Sequence, residues 1–158
     1  MGAEDRKIRP SAPLRRVPGT RGTIDHIVVA PAGVFVVGAK NDTGLIEIRD
    51  RGGLFRPDAR LYVGGRDRSR LADDMAWQIA AVRTVLASGR EAFRRVSVEP
   101  VLCFVDGEWP LFFPPNSFRG IHLEGTRSIK ALITRTAILD HVDVDGLSRI
   151  LASGLPAI

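Results

Sequence analysis

With 158 residues, of which 44% are hydrophobic and 26% are charged, the chain has the composition of one globular domain, which excludes a protein that is disordered throughout. The net charge of +5 favours contact with polyanions. The single cysteine, Cys103, excludes an intramolecular disulfide, and no apolar run approaches the ~20 residues of a membrane span. We therefore expect a cytoplasmic protein that does not associate with membranes.

Residues 1–22 are predicted to form a basic, largely irregular arm. They contain six basic residues, are interrupted by Pro10, Pro13 and Pro18, and show no helical period. The arm is either a floppy terminus or a segment that contacts phosphates. Residues 23–158 are predicted to form the folded domain.

Residues 23–47 are predicted to form three antiparallel strands. Proline and glycine at residues 30–33 mark a tight turn between two runs of branched and aromatic residues. Residues 41–44 supply a second turn, after which apolar residues resume. Two consecutive hairpins are the simplest arrangement of these runs.

This register places charged residues together on one face. The first turn sets Asp25 opposite Gly38, the second sets Gly38 opposite Glu47, and Lys40 shares the face of Gly38. Two acids and a lysine above a glycine suit a divalent cation such as Mg²⁺, and the ammonium suits a phosphate. The alternative, from these residues alone, is a surface ion pair between Asp25 and Lys40 worth ~0–1 kcal/mol.

Residues 49–70 combine arginines with Phe55 and Tyr62. Two glycine pairs predict an extra hairpin over residues 54–62, followed by a loop. Guanidinium groups beside aromatic rings suit phosphates and unstacked bases, whereas the alternative is a solvated polar hairpin. The candidate nucleic-acid-binding residues are Arg49, Arg51, Arg56, Arg60, Arg66, Arg68 and Arg70.

A helix is predicted next, capped by Ser69 and ended by Ser88 and Gly89. Gln78 flanks its apolar stripe, so a helix that crosses the sheet would direct Gln78 toward the acidic row. The stripe has helical steps of three and four and consists of Leu71, Met75, Ile79, Val82 and Leu86.

The second half of the chain contains weaker signals. Its three predicted strands and two predicted helices cover residues 96–105, 111–113 and 120–123, and residues 126–135 and 145–152. The histidines lack partners at ligand spacing, which argues against a zinc site. No phosphate-binding glycine loop or serine-hydrolase motif is present, which argues against the commonest NTPase and hydrolase classes.

The segments IDH and GVFVVGAKN, which lie within residues 24–41, resemble the nuclease-related domain (NERD) family. That family is grouped with the PD-(D/E)xK nuclease superfamily. Its pattern is an Asp before a strand, an acid-x-Lys at the end of the next strand, and a Gln on a following helix. Asp25, Lys40 and Gln78 match this pattern, whereas Gly38 stands where the family has Glu or Asp.

The resemblance implies an α/β fold of the PD-(D/E)xK nuclease-like type, with a mixed central β-sheet flanked by helices. It implies hydrolysis of phosphodiesters in nucleic acid, DNA rather than RNA, with Mg²⁺ or Mn²⁺ and with Asp25, Lys40 and Gln78 as catalytic residues. Members of the family usually open with a helix, and since residues 1–22 show no helical period, we expect either a truncated start or a domain that has lost that helix. Because Gly38 lacks the acid, we expect Glu47 to join Asp25 as a metal ligand. The alternative is a catalytically inactive relative that binds nucleic acid or a protein partner.

Overall fold

The structure is a computed structural model that describes residues 14–158. Most of the arm predicted for residues 1–22 therefore lies outside the described residues. The strands are β1 (Arg15–Arg16), β2 (Thr23–Ile24), β3 (His26–Ala30), β4 (Gly33–Lys40), β5 (Gly44–Asp50), β6 (Ala59–Val63), β7 (Arg66–Asp67), β8 (Val98–Phe104), β9 (Gly107–Glu108), β10 (Ser117–Phe118) and β11 (Ile121–Glu124). The helices are α1 (Leu71–Ala87), α2 (Glu91–Arg94), α3 (Ser128–Ile133) and α4 (His141–Gly154).

A mixed five-stranded sheet forms the centre of the domain, in the order β10-β11-β8-β4-β3. β4, β8 and β11 run parallel, and β3 and β10 are antiparallel strands at the two edges. The connection from β4 to β8 includes α1, and a helix-containing crossover of this kind is what parallel strands require. The predicted mixed central sheet of an α/β fold is confirmed.

Side-chain alternation along the sheet separates two hydrophobic cores. Val34 and Val36 of β4 point to the face covered by α1 and α4, where they pack with Met75 and Leu147. Residues of the opposite parity, including Phe35, form a smaller core on the other face, against which α3 packs. Helices therefore flank both faces of the central sheet, as predicted.

The first predicted hairpin is confirmed. β3 and β4 are antiparallel with His26 opposite Val37, and continuing this register by one residue sets Asp25 opposite Gly38. The second predicted hairpin is wrong, because the other edge of β4 pairs with β8, which sets Leu102 opposite Gly38. β8 is more apolar than β5 and can be buried on both faces.

β5 instead belongs to a separate four-stranded sheet, in the order β7-β6-β5-β9. Gly44 begins β5 at φ +106°, a left-handed conformation that suits glycine and turns the chain away from β4. The predicted hairpin over residues 54–62 is also wrong, because β5 and β6 pair with each other and residues 51–58 connect them.

The predicted helix after residue 70 is confirmed as α1, but its predicted cap is wrong. Arg70 is the N-cap residue and makes no side-chain capping bond. The Ser69 hydroxyl accepts a hydrogen bond of 3.0 Å from the Leu61 backbone N–H, so it is bonded to β6 and not to the start of α1. Leu71 and Ile79 are only partly buried, whereas Ala72 and Gln78 are buried in the stripe.

Later elements agree with the sequence in part. β8, β11 and α3 overlap their predictions, and α4 begins earlier than predicted because the Asp140 carboxylate accepts from the Asp143 N–H at 2.8 Å. Residues 111–113, predicted as a strand, form an exposed bend instead. Within the described chain, no helix is both long enough and apolar enough to cross a membrane.

Candidate functional site

Asp25 and Lys40 meet at the end of the β3–β4 hairpin. Asp25 lies in the bend between β2 and β3, Lys40 is the last residue of β4, and Lys40 Nζ lies 3.5 Å from Asp25 Oδ2. The Lys40 side chain is 24% exposed and the Asp25 side chain is 29% exposed, so both can contact a ligand from solvent. The hairpin register brings these two predicted site residues together.

Gly38 leaves no space for a carboxylate without rearrangement. A Cβ added there would lie 3.2 Å from Met75 Cε, 3.3 Å from Leu102 Cδ2 and 3.4 Å from Lys40 Cε. Met75 is fully buried, so its methyl end fills the place toward which a side chain at position 38 would project. Loss of the acid is thus matched by apolar packing from α1.

Gln78 is the third predicted site residue, and α1 carries it to the same side of the sheet as Lys40. Both residues line a cleft of about 580 Å³, together with Asp74 and Trp77. Gln78 is only 8% exposed, and its Oε1 has no hydrogen-bond partner among the described residues. A buried amide oxygen left unpaired costs ~1–3 kcal/mol, so its position needs an explanation.

A second cleft, of about 510 Å³, opens on the other side of Lys40. Arg66 and Arg68 line it together with Asp42, and Arg68 Nε lies 2.9 Å from Asp42 Oδ1. Arg66 is exposed and has no ion-pair partner in residues 14–158. Lys40 therefore stands where a basic cleft and an acidic cleft meet.

Glu47 does not join this site. It lies on β5 in the separate sheet, opposite Tyr62, and its carboxylate is 2.6 Å from Arg49 Nη2. The prediction that Glu47 shares a row with Asp25 is wrong, because it depended on the β4–β5 hairpin that does not form.

The residues predicted to bind metal do not form a metal site. Within residues 14–158 there is no group of three or more His, Cys, Asp or Glu side chains that could hold an ion. Asp25 is the one carboxylate at the predicted positions that is close to Lys40, and that ammonium already neutralises it. Mg²⁺ held by Asp25 and Glu47 therefore does not fit this arrangement, and no catalytic step is assigned to it.

The predicted arginines divide into two groups. Arg49, Arg60 and Arg68 form ion pairs with acidic neighbours, and the Arg49 guanidinium also lies 4.6 Å from the centre of the Tyr62 ring. An arginine paired in this way is less available to a phosphate. Those that are exposed and have no ion pair within the described chain are Arg51, Arg56, Arg66 and Arg70.

One cluster of charged residues, around Glu99, was not predicted from the sequence. Glu99 of β8 accepts from His122 Nε2 at 2.8 Å and from Arg135, on the sheet face opposite to Lys40. Burial by itself raises the pKa of Glu99, but the hydrogen bonds from His122 and Arg135 outweigh it and hold that pKa below its ordinary value. The three residues come from distant parts of the chain, so no local pattern indicates them. We interpret this cluster as structural.

Asp74 is a second residue that the sequence analysis did not assign to the site. It lies one helical turn before Gln78 and lines the same cleft. The spacing of four residues on a predicted helix was the signal available for it.

A family model for the nuclease-related domain matches residues 4–105, which is more than half of the chain. No curated protein and no solved structure matches the chain. The match covers the β3–β4 hairpin, strands β5, β6 and β7 of the separate sheet, α1 and β8. It includes Asp25, Lys40 and Gln78. The mixed sheet and its helices are consistent with the PD-(D/E)xK nuclease superfamily. The chain belongs to the nuclease-related domain family.

Proposed function

We propose that this domain binds nucleic acid, with DNA as the preferred ligand, at the surface where the two clefts meet at Lys40. The observation that carries the proposal is the position of Lys40, which lines both clefts. A compact ammonium at such a junction is suited to a phosphate, and Arg66, which has no ion pair within the described chain, extends the positive charge along the backbone path. The net charge of +5 adds a general attraction for polyanions.

Binding is favoured over hydrolysis because the acidic part of the family pattern is incomplete. Gly38 offers no carboxylate, and Glu47 lies in the other sheet. In a site of this type, a metal held by carboxylates activates the water that attacks phosphorus. A domain in which Asp25 is the one carboxylate left at the predicted metal-binding positions can still bind a phosphate through Lys40.

Metal-dependent phosphodiester hydrolysis is the second candidate function. It is favoured by the contact between Lys40 and Asp25 and by the unpaired Oε1 of Gln78, because all three residues match the catalytic pattern. Asp25 would then orient the Lys40 ammonium, and Lys40 would stabilise charge that develops on the phosphate.

Binding is tested with fluorescently labelled single-stranded and double-stranded DNA and RNA, by anisotropy in EDTA at increasing salt. We expect affinity to fall steeply with salt, and the slope of log K against log salt to decrease by about one in Arg66→Ala. Lys40→Ala should weaken binding to all sequences. Arg94→Ala on α2 removes the same charge away from both clefts, so it should leave the slope unchanged. Equal effects of Arg66→Ala and Arg94→Ala would contradict the proposed surface.

Hydrolysis is tested with the same substrates and Mg²⁺ or Mn²⁺. Cleavage by the wild type that disappears in both Lys40→Ala and Asp25→Ala would support the second candidate. Wild-type protein that shifts the labelled strands but leaves them intact would establish binding alone.

A further inference from the structure

We propose that a cavity at the carboxyl ends of β8 and β11 receives an unstacked base of a single-stranded nucleic acid. The cavity has a volume of about 470 Å³, which lies within the ~300–1,000 Å³ of small-molecule sites. The inference deepens the proposed function, on which it rests, because it names single strands as the ligand class and gives the base a binding site separate from that of the phosphate.

The cavity lies beside Lys40. β4, β8 and β11 run parallel, so their carboxyl ends share one edge of the sheet. Lys40 ends β4 opposite Phe104 of β8, which lines the cavity, so the two side chains lie on the same face. Val105 also lines the cavity and donates its backbone N–H to the Lys40 carbonyl at 3.0 Å. Neighbouring strands are ~4.8 Å apart, so a phosphate at Lys40 and a base in the cavity can belong to the same nucleotide or to adjacent ones.

The inner wall of the cavity is apolar and includes an indole. Phe104 and Leu123 belong to the main core, and Pro114 adds to the apolar lining. Trp109 is only partly buried, and a Cβ at Gly125 would lie 3.3 Å from its Nε1, so glycine leaves this edge of the indole uncovered. Apolar and aromatic walls suit the flat faces of a base.

The cavity also presents polar groups that could contact the edge of a base. The Asn116 carboxamide and the Trp109 N–H form no hydrogen bond within residues 14–158. A base exposes donors and acceptors along its edge, and a carboxamide supplies one group of each kind. Glu124 is the one acid in the lining, and its carboxylate can accept from an exocyclic amino group. Arg127, which is exposed, adds a positive charge beside it.

Exposed aromatic residues adjoin the cavity wall in the chain. Phe112 is 81% exposed, Phe113 is 97% exposed, and both directly precede Pro114. Large apolar side chains grouped in solvent mark interaction sites, and aromatic rings stack on the bases of single strands. The bases of a single strand are already unpaired, so placing one in the cavity costs less than extruding it from a duplex. A single strand is therefore the ligand that fits this region best.

Trp109 supplies the readout, because Trp77 is the one other tryptophan in the chain. Protein carrying Trp77→Phe, in which all indole emission comes from Trp109, is titrated in EDTA with a labelled single strand of DNA and with the same strand containing abasic sites. We expect the intact strand to quench Trp109 emission in parallel with its change in anisotropy. The abasic strand should bind about tenfold more weakly and cause no quenching, because it lacks the stacked base. A duplex of the same sequence should also cause no quenching.

Asn116→Ala in the same background should weaken binding of the intact strand about threefold to tenfold and leave binding of the abasic strand unchanged. Ser117→Ala is the matched control, since it removes a polar group from the next residue, which is also exposed but does not line the cavity. It should leave both affinities unchanged. Circular dichroism checks that each variant is folded.

The possible outcomes separate the base site from the proposed phosphate surface. Equal affinity for the intact and abasic strands would overturn the base site and leave the surface standing, as would saturated binding of the intact strand without quenching. Base-dependent binding that Arg66→Ala does not weaken would refute the surface and leave the base site standing. Absence of binding by either strand at low salt would refute both.

Discussion

Replacement of Gln78 by methionine should make the free protein more stable while it weakens the site. Methionine has nearly the same length and helix propensity as glutamine, so the change mainly removes the buried polar group. An unsatisfied buried oxygen costs ~1–3 kcal/mol, and Gln78 is 8% exposed with Oε1 unpaired. We therefore expect the free energy of unfolding in EDTA to rise by about 1–2 kcal/mol.

For a domain of this size, each kcal/mol shifts the melting temperature by about 2–4 °C, so the expected increase is about 2–8 °C. Urea denaturation should show a higher midpoint with an unchanged slope, since the surface exposed on unfolding is the same. Ala80→Met is the matched control, because it places methionine at an exposed position of the same helix and should change stability by less than about 0.5 kcal/mol.

A lower midpoint for Gln78→Met would refute the reasoning, since it would mean that the amide makes favourable interactions in the free protein. An equal gain in Ala80→Met would show that the effect comes from the helix and not from the buried oxygen. A gain in stability together with reduced affinity for labelled DNA would identify Gln78 as a residue retained for binding at the expense of stability.

Three further variants test the packing and the charged cluster. Glu99→Gln should lower the free energy of unfolding by about 1–2 kcal/mol at neutral pH. The pKa of Glu99 in the folded protein lies below its ordinary value of 4.5. The stabilisation that the Glu99 carboxylate gives is therefore present above pH 4.5 and is lost as the pH falls through the folded pKa. The urea midpoints of wild type and variant should then converge in acid. Gly44→Ala should cost more than about 2 kcal/mol, since φ is +106° and the new Cβ would lie 2.6 Å from the Cα of Gly64. Gly38→Ala should cost less than about 1 kcal/mol, because its Cβ would meet only side-chain ends, the nearest being Met75 Cε at 3.2 Å. Similar melting temperatures for the two alanine variants would contradict this distinction.

Local signals in the sequence were sufficient for the β3–β4 hairpin and for α1. A Pro/Gly turn between two apolar runs sets a register that involves only neighbours in the chain, and this register brings Asp25 to Lys40. The apolar stripe of α1 likewise depends on spacing within one element. The family pattern identified Gln78, although a lone helical glutamine carries no such information by itself.

Only the tertiary structure decided which strand lies beside β4. The sequence favoured β5 because it follows immediately, but the parallel strand β8, which lies more than 50 residues further along, takes that edge. Which strand pairs with β4 depends on the burial of both faces of β8 between two layers of helices. This contribution is non-local, so it cannot be read from any short segment of the sequence. Because β8 takes that edge, Glu47 lies outside the site, and residues of α1 line the cleft beside Lys40. The sequence by itself determined which residues share a hairpin or a helix face, whereas the packing of distant strands determined which of those faces meet.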